Sequence, residues 1–137
     1  MRRLMLATAL ATLAAGQALT AGQAMAFSAV NGQRVEQLDA NRFIVKWRGQ
    51  SGDAAFWCAA ADYARRGLSL PAQARIWRIS EPPRKRGQGI VFSTSPEGAA
   101  SRTGITTLNT DRRVRADFSV GVAFGFCDER WRPELRD

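Results

Sequence analysis

Between Asn31 and Arg48 apolar and polar residues alternate in the manner of a β-hairpin. Val35 and Leu38 lie in the first arm, Asp39-Ala40-Asn41 supplies the turn, and the second arm runs from Arg42 to Arg48. In that second arm Phe43, Val45 and Trp47 alternate with Arg42, Ile44, Lys46 and Arg48, the period of two expected of a half-buried strand. Gly49-Gln50-Ser51-Gly52 breaks the pattern. A helix is then predicted from Asp53 to Arg66. Ser51 or Asp53 is placed to accept from the free amides of the first turn, and the alanines between 54 and 60 favour helix intrinsically. Trp57, Ala60, Ala61 and Ala64 form one stripe with Phe56 and Tyr63 beside it, a core pattern. Arg65 and Arg66 sit at the negative end of the helix dipole, Gly67 fits a left-handed cap with Leu68 touching Tyr63, and Pro71 prevents continuation.

Two strands are expected over 74–80 and 89–94, joined by Glu81-Pro82-Pro83-Arg84-Lys85-Arg86-Gly87-Gln88, whose prolines and glycine mark an exposed loop. Residues 95–104 read as surface loop, and Ile105 to Leu108 as a short strand. From Asp117 to Cys127 bulky residues (Phe118, Val120, Val122, Phe124, Phe126) alternate with small ones (Ser119, Gly121, Ala123, Gly125, Cys127). Strict alternation and repeated glycine favour a strand buried on both sides or closely approached on the small one; a second helix is the competing reading. The expected architecture is α+β: a small antiparallel sheet of four to six strands with one main helix packed across it, and a helix-to-strand disulfide.

The first 26 residues change the picture. Arg2 and Arg3 precede a short apolar run, Leu4 to Leu13, and Ala24-Met25-Ala26 has the small-x-small form of a signal-peptidase site. The run is too short to span a bilayer, which takes ~20 apolar residues. The expectation is a cleaved secretory signal peptide over 1–26 and a single exported domain over 27–137, periplasmic or secreted, with no transmembrane segment in the mature chain. Export explains the cysteines: Cys58 and Cys127, the only two, pair most simply as a structural disulfide in an oxidising compartment. The formal net charge of +8 is carried almost entirely by arginine, a composition that a GC-rich genome also produces.

Catalytic chemistry is sparse. The chain has no histidine, which removes His-dependent nucleophilic and general-base schemes and imidazole metal sites, and a disulfide removes the thiols. Asp128-Glu129 and the pair Asp53 and Asp62 lack the spacing of a glycosidase or calcium site, and Gly87-Gln88-Gly89 lacks the context of a phosphate loop. No catalytic residue, cofactor or metal is expected; a hydrolase working on carboxylates alone is the least favoured reading. Two basic segments, Arg84-Lys85-Arg86 and Arg112-Arg113-Arg115, are candidate anion-binding sites for an acidic polymer, lipid head groups or an acidic protein face. Nucleic acid is not expected, because the aromatics sit in core patterns and do not interleave with cations. Trp131, in the polar tail, is a candidate partner anchor.

The run Phe56-Trp57-Cys58-Ala59-Ala60-Ala61-Asp62-Tyr63-Ala64, followed by Arg75-Ile76-Trp77-Arg78-Ile79 and a late Phe126-Cys127, resembles a group of small exported alphaproteobacterial proteins with no assigned activity. The resemblance implies an exported, disulfide-linked domain and transfers no catalytic residue. The function expected is that of a non-enzymatic domain binding another protein or an envelope component, with electrostatic binding of anionic polymer or lipid head groups through the basic loops as the alternative.

Overall fold

The structure, a computed structural model, describes residues 26–49, 52–105 and 116–128. Its elements in chain order are strands β1 (Phe27–Ser28), β2 (Arg34–Gln37) and β3 (Arg42–Val45), helix α1 (Asp53–Asp62), strands β4 (Arg75–Arg78), β5 (Ile90–Ser93) and β6 (Asp117–Ser119), and helix α2 (Val120–Gly125). The strands form one antiparallel sheet in the order β1-β2-β3-β5-β4-β6. This is the α+β architecture expected, with six strands, the main helix against the sheet, and a Cys58–Cys127 disulfide.

The expected hairpin is β2–β3, with Val35 opposite Val45 and Gln37 opposite Phe43. Its turn is held by Asp39, whose Oδ1 accepts from the Asn41 and Arg42 amides at 3.0 and 2.8 Å, the local competition for backbone donors that makes aspartate a turn residue. Val35, Phe43, Val45, Ile76, Ile90, Phe92 and Phe118 are buried and belong to the core that includes α1. Alternation then assigns Arg34, Glu36, Ile44, Lys46 and Val91 to the opposite face of the sheet.

α1 is buried all round from Phe56 to Ala64, which alanine permits by letting neighbouring elements approach closely. Trp57 meets Phe92 and Phe118 edge-on, each with ring centroids 4.8 Å apart. The helix ends differently from expectation. It runs into a π-helical turn, Tyr63–Gly67, where the Leu68 amide donates to the Tyr63 carbonyl at 3.0 Å. The left-handed residue is Ser69, at φ 55°, and Gly67 is not left-handed. Gly67 serves a packing need instead: a Cβ there would lie 2.5 Å from the Tyr63 ring. At the other end Gly52 is the N-cap and makes no side-chain cap bond. Ser51 lies outside the described residues, and Asp53 is committed to Arg78.

The largest correction concerns 117–127. Only Asp117–Ser119 is strand; α2 follows at once, its first turn capped by Ser119 Oγ, which accepts from the Val122 amide at 3.3 Å. The bulky series is therefore split. Phe118, Val120 and Phe126 are buried, while Val122 is exposed. Phe124 is half-buried under the Arg65 guanidinium, 4.0 Å from its ring centroid. Helices α1 and α2 pack on each other, and the disulfide joins α1 to the turn just past α2, with a Cα–Cα separation of 4.8 Å. Its second anchor thus lies beyond a helix, not on the strand. Of the proposed strand 105–108, Ile105 is buried without strand structure, and the rest lies outside the described residues.

Candidate functional site

Three chain segments meet at one end of the sheet. The first is the turn 29–33 between β1 and β2. It closes on itself through the Ala29 amide donating to the Gln33 carbonyl (2.9 Å) and the Gly32 amide to the Ala29 carbonyl (2.8 Å). It is fastened to α1 by the Val30 amide donating to Asp62 Oδ2 (2.7 Å) and by Asn31 Nδ2 donating to the Ala55 carbonyl (2.8 Å). With its backbone so held, Val30 turns its side chain outward, 64% exposed. Asp62 itself is nearly fully buried. Burial pushes its carboxyl up, but hydrogen bonds from Arg66 and from the Val30 amide outweigh that and leave it below the usual carboxylate range.

The second segment is the end of β3. Ser28 pairs with Arg34, and the Lys46 amide donates to the Arg34 carbonyl at 2.8 Å, so Ser28 of β1, Arg34 of β2 and Lys46 just past β3 form a row on the outer face. The strand stops at Val45, and Trp47 does not continue the buried series as the alternation predicted. It is 41% exposed. Arg48 Nη1 donates to the Gly32 carbonyl at 3.0 Å, tying this segment to the first turn. Gly32 is favoured there by its φ of 81°, and the Arg48 guanidinium lies over the space a Cβ would take. Between the two segments lies an open concavity of about 500 Å³ lined by Ser28, Gly32, Arg34, Lys46, Trp47 and Arg48.

The third segment is the loop 81–89, which carries the basic run found in the sequence. Val45 pairs with Ile90, so Gly89 and the loop before it emerge at the end where β3 finishes. Within the loop Arg84 is turned inward: its guanidinium lies 4.8 Å from the Phe56 ring centroid, and Nη1 donates to the Gln88 carbonyl at 3.0 Å. Lys85 and Arg86 are exposed. Charge at this end is therefore positive and only partly answered. Lys46 pairs with Glu36 at 3.0 Å, while Arg34, Lys85 and Arg86 make no ion pair among the described residues.

The other predicted positions, Arg112, Arg113, Arg115, Trp131 and Glu129, lie outside the described residues. Asp128 is exposed just past α2. Among the described residues no group of three or more His, Cys, Asp or Glu side chains stands close enough to hold a metal ion. Val30, Arg34, Lys46, Trp47 and Arg48 were not singled out from the sequence as site residues. The available signal was the triplet Lys46-Trp47-Arg48, a tryptophan between two cations just before a glycine break.

A second polar cluster is internal. Arg78, on the core side of β4 and 0% exposed, donates from Nε to the Ser80 carbonyl (2.7 Å) and from Nη1 to Asp53 Oδ2 (2.7 Å) and the Thr103 carbonyl (3.1 Å). Trp57 Nε1 donates to the same Thr103 carbonyl at 3.0 Å. Gly104, at φ 82°, leaves room for this pair; a Cβ would collide with both Arg78 and Asp53. The cluster closes the far end of loop 95–104 over α1, so that loop, expected on the surface, ends in the core.

No protein-family model, curated protein or solved structure matches the chain. Among the described residues no helix is long and apolar enough to cross a membrane, and the disulfide fits an oxidising compartment.

Proposed function

We propose that the protein is an exported, non-enzymatic binding domain of the periplasm or cell exterior, which engages a protein or envelope component through the basic, tryptophan-bearing end of its sheet. The observation that carries this reading is the concavity in which Trp47 stands exposed among Arg34, Lys46 and Arg48. Exposed tryptophan beside arginine is the composition of binding hot spots, and a concentration of cations steers an acidic partner to the surface. The signal-peptide pattern of residues 1–26, the disulfide and the resemblance to small exported proteins support the compartment.

The test is capture from a native envelope extract on the immobilised oxidised protein, washed at low and then high salt, with Arg34→Glu and Trp47→Ala in parallel. Wild type should retain an envelope component that both variants lose. Retention of nothing specific, or equal retention by all three proteins, would overturn the reading.

A further inference from the structure

Deepening that reading and resting on it, we infer that the partner at this end of the sheet is an anionic lipid bilayer, which the domain meets with Val30 and Trp47 foremost. Four large apolar side chains are well exposed among the described residues: Val30, Leu38, Trp47 and Val122. Two of them, Val30 and Trp47, are on segments tied together by the Arg48–Gly32 hydrogen bond. Arg34, Lys46 and Arg48 line one concavity with Trp47, Gly32 of the turn that carries Val30 lines it too, and the loop bearing Lys85 and Arg86 emerges at the same end.

This combination discriminates between ligands. A purely electrostatic site for a soluble polyanion has no use for an outward valine, and an aromatic platform for sugars or bases would use the indole alone. A bilayer surface uses all of it. Tryptophan favours the head-group region, where its ring is solvated at one end and apolar at the other. A small aliphatic side chain beside it removes further apolar area from water, and guanidinium and ammonium groups set around them meet lipid phosphates. The tip is also preorganised: the Val30 amide is held by Asp62, Asn31 by the Ala55 carbonyl, and Gly32 by Arg48. Docking therefore orders little that is not ordered already.

The experiment is co-sedimentation of the oxidised full chain with vesicles of phosphatidylcholine plus phosphatidylglycerol and with vesicles of phosphatidylcholine alone. Wild type is compared with Val30→Asn, Trp47→Ala and Arg34→Ala, all sharing the same N-terminus so that any contribution of the leader cancels. Wild type should bind the anionic vesicles, far less the neutral ones, and progressively less as salt rises. Arg34→Ala should weaken partitioning about fivefold, the loss expected for one basic contact near a charged surface. Val30→Asn and Trp47→Ala should each weaken it without changing the circular dichroism or the melting temperature. Brominated lipid should quench a fraction of the tryptophan emission that is absent from Trp47→Phe. Equal binding to neutral vesicles, or binding indifferent to Val30 and Trp47, would overturn the inference. If no vesicle binds while an envelope protein is still captured through Arg34, the lipid inference falls and the binding reading stands; if both fail, both fall.

Discussion

A guanidinium with no exposed surface has lost its contact with water, so counter-charge and acceptors inside the protein offset the cost of burying it. Arg78 finds Asp53 and the carbonyls of Ser80 and Thr103 through Nε and Nη1, while its Nη2 has no hydrogen-bond partner among the described residues, and these bonds join β4, the first turn of α1 and the end of loop 95–104. Removing one partner of such a pair costs more than removing both, since a lone buried charge is left without compensation. Asp53→Ala is expected to lower stability by about 3 kcal/mol, and Asp53→Ala with Arg78→Met by less. Urea denaturation of the two variants checks this, and a double variant less stable than the single one would refute it. None of this was legible in the local pattern. Arg78 follows Ile76 at strand spacing, so alternation points it inward, but nothing local shows how a cation is accommodated there; its acceptors come from three separate parts of the chain. Trp47 shows the converse error. Period-two spacing placed it with Phe43 and Val45, but the strand ends at Val45, and without ladder pairing to hold the pleat the side chain turns outward.

At the level of elements, α2 is where local pattern and tertiary context compete most openly. Over so short a stretch a period of two and a period of 3.6 fit the same residues: Val120, Ala123 and Phe126 are buried at helical spacing, though every second residue is also bulky. The helix prevails because Ser119 caps its first turn and α1 offers an alanine-rich surface to pack on. Its two glycines are not equivalent. At Gly121 a Cβ would press to 3.3 Å of the Ala72 carbonyl oxygen, whereas at Gly125 it would meet nothing within 4 Å, and the backbone there is right-handed. Gly125→Ala should therefore stabilise the protein by about 0.5–1 kcal/mol by restricting the unfolded chain, read as a higher denaturation midpoint; a lower midpoint would mean that the residue's freedom is used. α1, by contrast, was readable almost to its end, because alanine content, a distant proline and terminal arginines all act locally. Its π-helical close was not readable, since it depends on Gly67 passing under the Tyr63 ring.

For the molecule as a whole, the disulfide spans 69 residues and encloses β4, β5, β6 and α2. Closing a loop of that length is worth about 4 kcal/mol in the chain-entropy view, a large part of the margin of a small domain. Reduction, or Cys58→Ala with Cys127→Ala, should lower the melting temperature markedly; thermal scans with and without reductant provide the check, and an unchanged transition would show that helix packing alone holds α1 to α2. The amino-acid sequence by itself determined the class of fold, the hairpin, the main helix, strands β4 and β5 and the cysteine pair, because each follows from periodicity, propensity or simple counting within a short window or over a small inventory. Tertiary structure alone decided that 120–125 is a helix, which groups receive the Arg78 guanidinium in the core, and that Val30, Arg34, Lys46, Trp47 and Arg48 share one end of the sheet with the loop of Lys85 and Arg86. Those outcomes depend on strand register and on contacts between residues far apart in the chain, and no local pattern encodes which distant segment will supply the partner.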